Sequence, residues 1–137
     1  MGTDARLGSV VVFVRDLDRS VDFYTAVLGV EIVDRSPTAA LLASPTTQLV
    51  LRAMGDNAPH PLGAVGVQYA VWTAASPAAL DHTEQALKDR TAHRSTRSDE
   101  GQTVVEGRDP DDIVVMVSYP GPDVSPLSKL PAWIYGW

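Results

Sequence analysis

Three histidines and the absence of cysteine limit the metal and nucleophile chemistry that this chain can perform. His60 lies in a stretch rich in proline and glycine, His82 in a predicted helix and His93 beside a predicted strand. A borderline divalent ion requires imidazole nitrogens and carboxylate oxygens that converge on one point. None of the histidines falls on the inner face of a predicted strand. The sequence therefore predicts neither a metal centre nor a cofactor.

Aspartates crowd into the short stretch 108–112, whose sequence is RDPDD. Aspartates beside a proline favour a turn, because their side chains accept hydrogen bonds from nearby backbone amides. We therefore interpret this cluster as a structural turn and assign no catalytic residues to it. Catalysis without a metal would need a general base near a cavity. The nearest candidates, Glu31 and Glu106, are predicted to be exposed strand residues.

The first half of the chain predicts a strand and a helix followed by three more strands. Ser9–Val14 is dominated by β-branched and aromatic residues, which is typical of a buried strand. Apolar residues then recur at helical spacing and end at Gly29, which adopts a left-handed conformation without steric cost. Asp16 and Asp18 are candidate N-caps for this helix. The later strands are predicted at Glu31–Asp34, Thr38–Ser44 and Thr47–Met54, so that residues 7–54 form one βαβββ module.

The second half repeats this order. Val67–Thr73 is a predicted strand, and Ser76 is a candidate N-cap followed by Pro77 at the first helical position. Further strands are predicted at Arg94–Ser98, Thr103–Gly107 and Ile113–Tyr119. Aligning the first strands of the two halves places Ser9 against Gln68, an offset of 68 − 9 = 59 residues. The duplication predicts a single domain over residues 1–137, with a linker at 55–65, a second module at 66–120 and an aromatic tail at 121–137.

The composition excludes several classes of protein. The chain has 137 residues, enough for one domain with its own core. Eleven Lys and Arg against seventeen Asp and Glu give a formal charge of −6, which repels nucleic acid and attracts cationic compounds. No apolar run resembles a signal peptide or is long enough to cross a membrane. Together with the lack of cysteine, this predicts a cytoplasmic protein that binds neither nucleic acid nor membranes.

The strand–helix unit at the start of the chain resembles the opening module of a known superfamily. After the first strand come Asp16–Ser20 (DLDRS), Phe23-Tyr24 and Leu28–Val30 (LGV), and this succession is similar to the vicinal oxygen chelate superfamily. That superfamily includes glyoxalase I, extradiol dioxygenases, fosfomycin-resistance enzymes and bleomycin-resistance proteins. The resemblance implies an α+β fold in which two tandem βαβββ modules form curved sheets in a barrel-like arrangement, and it implies a homodimer. It does not fix the activity, because members of one fold differ widely in chemistry.

The stretch 108–112 is a second point of similarity. Members of the superfamily usually have Asp-Pro-Asp-Gly-Asn at this turn, whereas here Asp112 stands in place of the glycine. The resemblance also identifies the positions at which a metal-dependent member holds its ion. They are occupied here by Ser9, Val50, Gln68 and Met116. Such a set cannot jointly hold a divalent cation, so the resemblance implies a metal-free relative of the bleomycin-resistance proteins.

Side chains two residues apart on a strand share a face, so the former metal positions indicate which residues line a cavity. Phe13 and Trp72 each lie four residues beyond such a position, and rings of this kind suit a bulky aromatic ligand. The predicted ligand-binding residues are Ser9, Phe13, Gln48, Val50, Arg52, Gln68, Trp72, Val114, Met116 and Trp133. The alternative is that these side chains merely fill the interior, as in a small closed barrel. Trp133 belongs to the tail, which either closes the cavity mouth or packs on a second subunit.

Three functions fit this interpretation. The first is a metal-free protein that sequesters a bulky aromatic or cationic compound, as in antibiotic or toxin resistance, with a small hydrophobic or aromatic molecule as its partner. The second is a glyoxalase- or dioxygenase-like enzyme of the same fold (a lyase, isomerase or oxygenase), acting with or without a metal. The third is a protein-interaction module without a small ligand. The lack of metal ligands favours the first function over the second.

Overall fold

The structure is a computed structural model of the 137-residue chain, and it describes residues 5, 7–59, 67, 69–99 and 101–121. The chain divides into two compact units, Met1–His60 and Pro61–Trp137. Within the described residues, each unit contains one four-stranded sheet and one helix in the order βαβββ. This order confirms the predicted α+β class with two tandem βαβββ modules. Two predicted ligand-binding residues, Gln68 and Trp133, lie outside the described residues, as does His60. Neither described helix is long and apolar enough to span a membrane.

Unit 1 (Met1–His60) is built on a mixed sheet in which the first and last strands are parallel neighbours. Its elements are β1 (Val10–Val14), α1 (Leu17–Leu28), β2 (Glu31–Arg35), β3 (Ala39–Ser44) and β4 (Thr47–Ala53). The strand order is β1-β4-β3-β2, with β1 parallel to β4 and the other pairs antiparallel. Short turns join β2, β3 and β4, which therefore pair antiparallel, whereas the parallel pairing of β1 requires a longer connection that begins with α1.

Helix α1 begins and ends at the predicted caps. Asp16 is the N-cap, and its side chain accepts a hydrogen bond from the Arg19 amide at 3.2 Å. Gly29 ends the helix in the left-handed conformation, with φ 69°. The apolar side of α1 packs on β3 and β4. The buried side chains of this core include Val21, Val27, Leu42, Leu49 and Leu51.

Unit 2 (Pro61–Trp137) repeats this arrangement. Its elements are β5 (Ala70–Thr73), α2 (Pro77–Asp89), β6 (His93–Asp99), β7 (Gln102–Arg108) and β8 (Val114–Tyr119). The strand order is β5-β8-β7-β6, with β5 parallel to β8. Strand β5 is shorter than the strand predicted at Val67–Thr73, and the other strands agree with the predictions to within one residue at each end.

Helix α2 packs closely on one face of the unit 2 sheet. Ser76 is its N-cap, as predicted, and accepts a hydrogen bond from the Ala79 amide at 3.0 Å. Leu87 is fully buried and lies so near Gly107 of β7 that a Cβ atom on this glycine would come within 2.6 Å of a Leu87 methyl carbon. Val115 pairs with Gly107 and therefore lies on the same face, which α2 covers.

Candidate ligand-binding face

One face of the unit 1 sheet is exposed and largely apolar. The register pairs Val11 with Val50 and Phe13 with Arg52, so these four side chains lie together, away from the face that α1 covers. Val11 is 56% exposed and Phe13 is 60% exposed, whereas Val14 on the other face is 1% exposed. We call this surface, formed by Val11, Phe13, Gln48, Val50 and Arg52, the open face.

The ligand-binding residues predicted for the first module all follow the alternation of the open face. On β4, Gln48 and Arg52 are exposed and Val50 between them is half-buried. Ser9 lies one residue before β1 and two residues before Val11, so it continues the alternation of the open face, and it is exposed. The register therefore agrees with the shared face that the sequence predicts for these residues. Their role in binding stays a prediction.

A pocket of about 390 Å³ borders the open face at the turn between β3 and β4. Its lining carries no charged side chain and consists of Leu7, Gly8, Ala43, Ser44, Pro45, Thr46, Thr47 and Gln48. The volume falls within the range of about 300–1,000 Å³ that is usual for small-molecule sites. Because Gln48 belongs to both surfaces, a ligand on the open face can extend into this pocket.

The register of unit 2 places Trp72 and Met116 on opposite faces of the sheet. Val71 pairs with Met116 across β5 and β8, and Trp72 pairs with Val117. Since neighbouring residues on a strand point to opposite faces, the shared face predicted for Trp72, Met116 and Val114 is wrong. Val71 takes the place that the sequence analysis gave to Trp72, and Trp72 lies on the face that α2 covers.

The error is a slip of one residue in the alignment of the two modules. The helix N-caps Asp16 and Ser76 occupy equivalent places, which gives an offset of 76 − 16 = 60 residues rather than 59. With this offset, Tyr69 rather than Gln68 is the equivalent of Ser9. A slip of one residue moves every side chain of a strand to the opposite face, because the side-chain period of a strand is two.

The face of unit 2 that carries Met116 is closed, in contrast with the open face of unit 1. Val104, Val114 and Met116 are 0%, 5% and 3% exposed and form one core cluster, against which Tyr69 and Val71 pack. Contacts of Val114 and Met116 with a ligand stay a prediction.

Glu106 lies on this same face of unit 2, a position that the sequence analysis missed. It pairs with Met116 on one side and with Ser95 on the other. Its carboxylate accepts a hydrogen bond from the Ser95 hydroxyl at 3.4 Å and lies 3.6 Å from the Arg108 guanidinium. The Glu106 side chain is only 21% exposed, so the prediction that it is an exposed strand residue is wrong. Its alternation with the apolar Val104 is the sequence signal that could have placed it here.

The residues at the former metal positions do not offer the donors that a divalent ion needs. Val50 has no donor atom, Met116 offers only a thioether sulfur, and Ser9 and Tyr69 offer neutral hydroxyls. A borderline ion prefers imidazole nitrogens and carboxylate oxygens. Among the described residues, no three histidine or acidic side chains come together in a group that could hold a metal. These positions therefore do not fit the ion of the metal-dependent superfamily members.

His93 belongs to a polar cluster between α2 and the edge strand β6. Its Nε2 atom lies 2.7 Å from the Thr96 hydroxyl and 3.9 Å from a carboxylate oxygen of Glu84. The Thr96 hydroxyl also donates to Glu84, and Lys88 Nζ lies 3.5 Å from the other carboxylate oxygen. The Thr96 hydrogen bond, followed by the charge of Lys88, lowers the pKa of Glu84. These contacts tie the helix to the strand and give His93 a structural role.

The stretch 108–112 forms a turn held by a buried carboxylate. Asp109 is 5% exposed, and its Oδ1 atom accepts hydrogen bonds from the Asp111 amide at 2.8 Å and the Ile113 amide at 2.9 Å. Asp112 adopts a left-handed conformation, with φ 66°. The predicted structural turn is therefore confirmed, because the Asp109 carboxylate binds backbone amides.

Comparison with models of known protein families identifies the superfamily of this chain. A family model for the Glyoxalase/Bleomycin resistance protein/Dioxygenase superfamily matches residues 6–117, which include α1, α2 and most of the strands of both units. A comparison with curated proteins finds no match.

Solved structures with the same fold come from several bacteria. Lactoylglutathione lyase from Agrobacterium tumefaciens is 23% identical with a TM-score of 0.65, and the match covers 85% of this chain and 95% of that chain. A glyoxylase/bleomycin resistance protein/dioxygenase domain from Frankia sp. EAN1pec is 22% identical with a TM-score of 0.71, covering 85% and 98%. The fosfomycin resistance protein FosX from Mesorhizobium loti is 13% identical with a TM-score of 0.67, covering 90% and 98%. At these identities the likeness shows a shared fold.

Proposed function

This chain belongs to the Glyoxalase/Bleomycin resistance protein/Dioxygenase superfamily, and from that premise we propose that it is a metal-free protein that binds and sequesters a bulky aromatic compound. The proposed role is of the antibiotic- or toxin-resistance type. A cationic compound is the other ligand considered, because the formal charge of −6 attracts cations over a distance.

The exposure of Phe13 on the open face is the observation that carries the proposal. A single exposed apolar residue needs no explanation, but contiguous apolar residues on one sheet face mark a binding surface. Phe13 is 60% exposed, and Val11 and Val50 continue the apolar surface across two strands. A flat aromatic molecule gains large contact area and ring stacking on such a surface.

The adjoining pocket supports a small molecule as the ligand. It holds about 390 Å³, and it is lined by short polar and apolar side chains that can accommodate a substituent of the ring system. Gln48 at its rim supplies both a hydrogen-bond donor and an acceptor. The open face would thus bind the ring, and the pocket would orient it.

Similar structures support a resistance role as one that this fold serves in other proteins. FosX from Mesorhizobium loti is a fosfomycin resistance protein, and the Frankia domain is named for glyoxylase, bleomycin resistance and dioxygenase proteins together. The donor chemistry at Ser9, Val50 and Met116 favours a non-metal member for this chain.

A metal-free enzyme of the lyase or isomerase type is the second candidate, and Glu106 is the observation in its favour. Its carboxylate is 21% exposed and contacts Ser95 and Arg108, and a partly buried carboxylate is a group that can serve as a general base. The variant Glu106→Gln separates the two functions. It should abolish turnover of any substrate of such an enzyme, and it should leave binding on the open face of unit 1 unchanged.

Isothermal titration calorimetry with a panel of aromatic antibiotics tests the proposal on the parent protein and on Phe13→Ala. Because the ring is exposed, its removal should change the free energy of unfolding by no more than about 0.5 kcal/mol. The same change should weaken binding about tenfold, through loss of stacking and contact area. Ile32→Ala is the matched control, since Ile32 is 49% exposed and pairs with buried Leu42, away from the open face.

Two results would contradict the proposal. One is equal binding by the parent and Phe13→Ala, or binding by neither to any aromatic compound. The other is stoichiometric nickel, zinc or iron in the purified protein by elemental analysis, which would overturn the metal-free assignment.

A further inference from the structure

We propose that the open face selects aromatic ligands that carry an anionic group, so that its ligand is a planar aromatic carboxylate recognised by Arg52. This inference rests on the proposed function. The proposed ligand is negatively charged, whereas the net charge of the chain alone would favour a positively charged ligand.

Among the five described residues that form the open face, Arg52 is the one cationic side chain, and its strand neighbours are uncharged. It lies between Phe13 on β1 and Ala39 on β3. The side chain is exposed, and within the described part of the chain it makes no ion pair or side-chain hydrogen bond. The guanidinium group is therefore available to a ligand.

The chemistry of an arginine beside a phenylalanine matches an aromatic acid. A guanidinium group offers parallel N–H donors that fit the two oxygens of a carboxylate, and its flat face stacks on aromatic rings. A ring that lies on Phe13 would place its carboxylate at Arg52, the next side chain across the sheet. One residue thus recognises the charge of the ligand, and its neighbour recognises the ring.

The spacing along β4 sets the size of the ligand. Gln48, Val50 and Arg52 alternate along the open face, and side chains two residues apart on a strand are separated by about 6.6 Å. The polar ends at Gln48 and Arg52 therefore lie about 13 Å apart, with an apolar surface between them. A fused ring system with an acid at one end and a hydrogen-bonding group at the other spans this distance.

Among the described strand residues of unit 1, the acidic side chains that share this face lie on the far edge of the sheet. Glu31 pairs with Ala43 and Asp34 with Leu41, which puts both carboxylates on β2, two strands away from Arg52. That separation is about 10 Å, more than the Debye length of about 8 Å at physiological salt. Within the described strands of unit 1, the charge nearest to Phe13 on this face is therefore that of Arg52, whatever the net charge of the chain.

Three probes with one ring system test this inference by calorimetry: 2-naphthoate, 2-naphthol and 2-naphthylmethylamine. We expect the parent protein to bind the naphthoate at least about tenfold more tightly than the amine. Arg52→Gln should abolish this preference, and Arg52→Lys should retain part of it because the charge remains without the planar fork. Arg19→Gln is the matched control, since Arg19 is an exposed arginine of the same unit on α1, and it should leave the preference unchanged.

The outcomes distinguish failure of this inference from failure of the proposed function. Binding of the amine as tightly as the naphthoate, or an unchanged naphthoate affinity in Arg52→Gln, overturns the inference and leaves an aromatic-binding protein. The absence of binding by all three probes overturns both. A dimer in sedimentation velocity that dissociates in Arg52→Gln, again without probe binding, would assign the open face to a second copy of the chain and would likewise overturn the inference.

Discussion

Thr91, which follows the C-cap Arg90 of helix α2, has the left-handed conformation that Gly29 adopts at the end of α1. Their φ angles are 56° and 69°. The Thr91 and Ala92 amides donate to the carbonyls of Lys88 and Leu87 at 3.0 and 2.8 Å, which is the hydrogen-bond pattern of a Schellman motif. A β-branched side chain is strained in this conformation, because its Cβ atom crowds the backbone. The second module therefore contains a site of strain that the first module avoids.

Replacing Thr91 with glycine should stabilise the protein. We expect a gain of about 0.5–1 kcal/mol in the free energy of unfolding, since the relief of strain exceeds the extra chain entropy of glycine. Gly29→Thr, the reverse change at the equivalent place, should cost about 1 kcal/mol or more. Urea unfolding of both variants measures these changes, and a loss of stability in Thr91→Gly would contradict the strain at this position.

Gly107 should not tolerate a methyl group. A Cβ atom there would lie 2.6 and 2.8 Å from the Leu87 methyl carbons and 2.9 Å from the Ala92 carbonyl oxygen. The leucine can rotate, but the backbone carbonyl cannot move without shifting the end of α2. Gly107→Ala should therefore cost about 1–3 kcal/mol, as in other overpacked cores. Gly8→Ala is the control, because nothing lies within 4 Å of the place that its added methyl group would take. Equal costs for the two variants would argue against the close approach of α2.

The lowered pKa of Glu84 should make part of the stability depend on pH. The folded-state pKa lies below the ordinary value of 4.5, chiefly because the Thr96 hydroxyl donates to the carboxylate. This contribution is present above that ordinary value and is lost as the pH falls through the folded-state pKa. Thr96→Val should remove it, so the variant should lose less stability than the parent between about pH 7 and about pH 3.5.

Thr103→Val is the control for this pH dependence. The Thr103 hydroxyl lies 2.8 Å from that of Ser98, so its hydrogen bond involves no carboxylate. Its removal should shift the urea midpoint equally at both pH values. A parallel response of Thr96→Val and the parent would show that the Thr96 hydrogen bond does not set the pKa of Glu84.

Removal of the Asp109 carboxylate should lower the stability of the protein. Its buried Oδ1 atom serves two backbone amides, those of Asp111 and Ile113. Asp109→Ala would leave both amides without this acceptor and should cost about 2 kcal/mol. Asp109→Asn keeps a side-chain carbonyl oxygen and should cost clearly less. Equal losses in thermal unfolding would mean that the charge of the carboxylate matters more than the two hydrogen bonds.

The features that could be predicted from the sequence have local signals. Asp16, Gly29 and Ser76 mark helix ends because caps depend on the few residues around them. The shared face of Phe13, Gln48 and Arg52 could also be predicted from the two-residue period of a strand, but their exposure could not, since the sequence predicts that they line a cavity.

The register of unit 2 could not be predicted by comparing strand compositions. Tyr69, Ala70, Val71 and Trp72 are all apolar or aromatic, so the segment lacks the alternation that would assign its faces. Aligning the two helix N-caps, Asp16 and Ser76, instead of the first strands gives the correct offset of 60 residues between the modules. Alternation with Val104 indicates the face of β7 on which Glu106 lies, but its contact with Ser95 depends on the pairing of β7 with β6, which no local pattern specifies.

The open face of unit 1 and the corresponding face of unit 2 differ in how much their side chains contribute to the buried core. The leucines behind the open face, Leu42, Leu49 and Leu51, lie on the opposite side of the sheet, which α1 covers. Substitutions at the exposed positions 11, 13 and 52 should therefore change the stability of the protein little. The corresponding face of unit 2 has no such freedom, because Val104 and Met116 belong to the core. Substitutions on the open face should therefore cost less stability than substitutions at the buried Val104 and Met116.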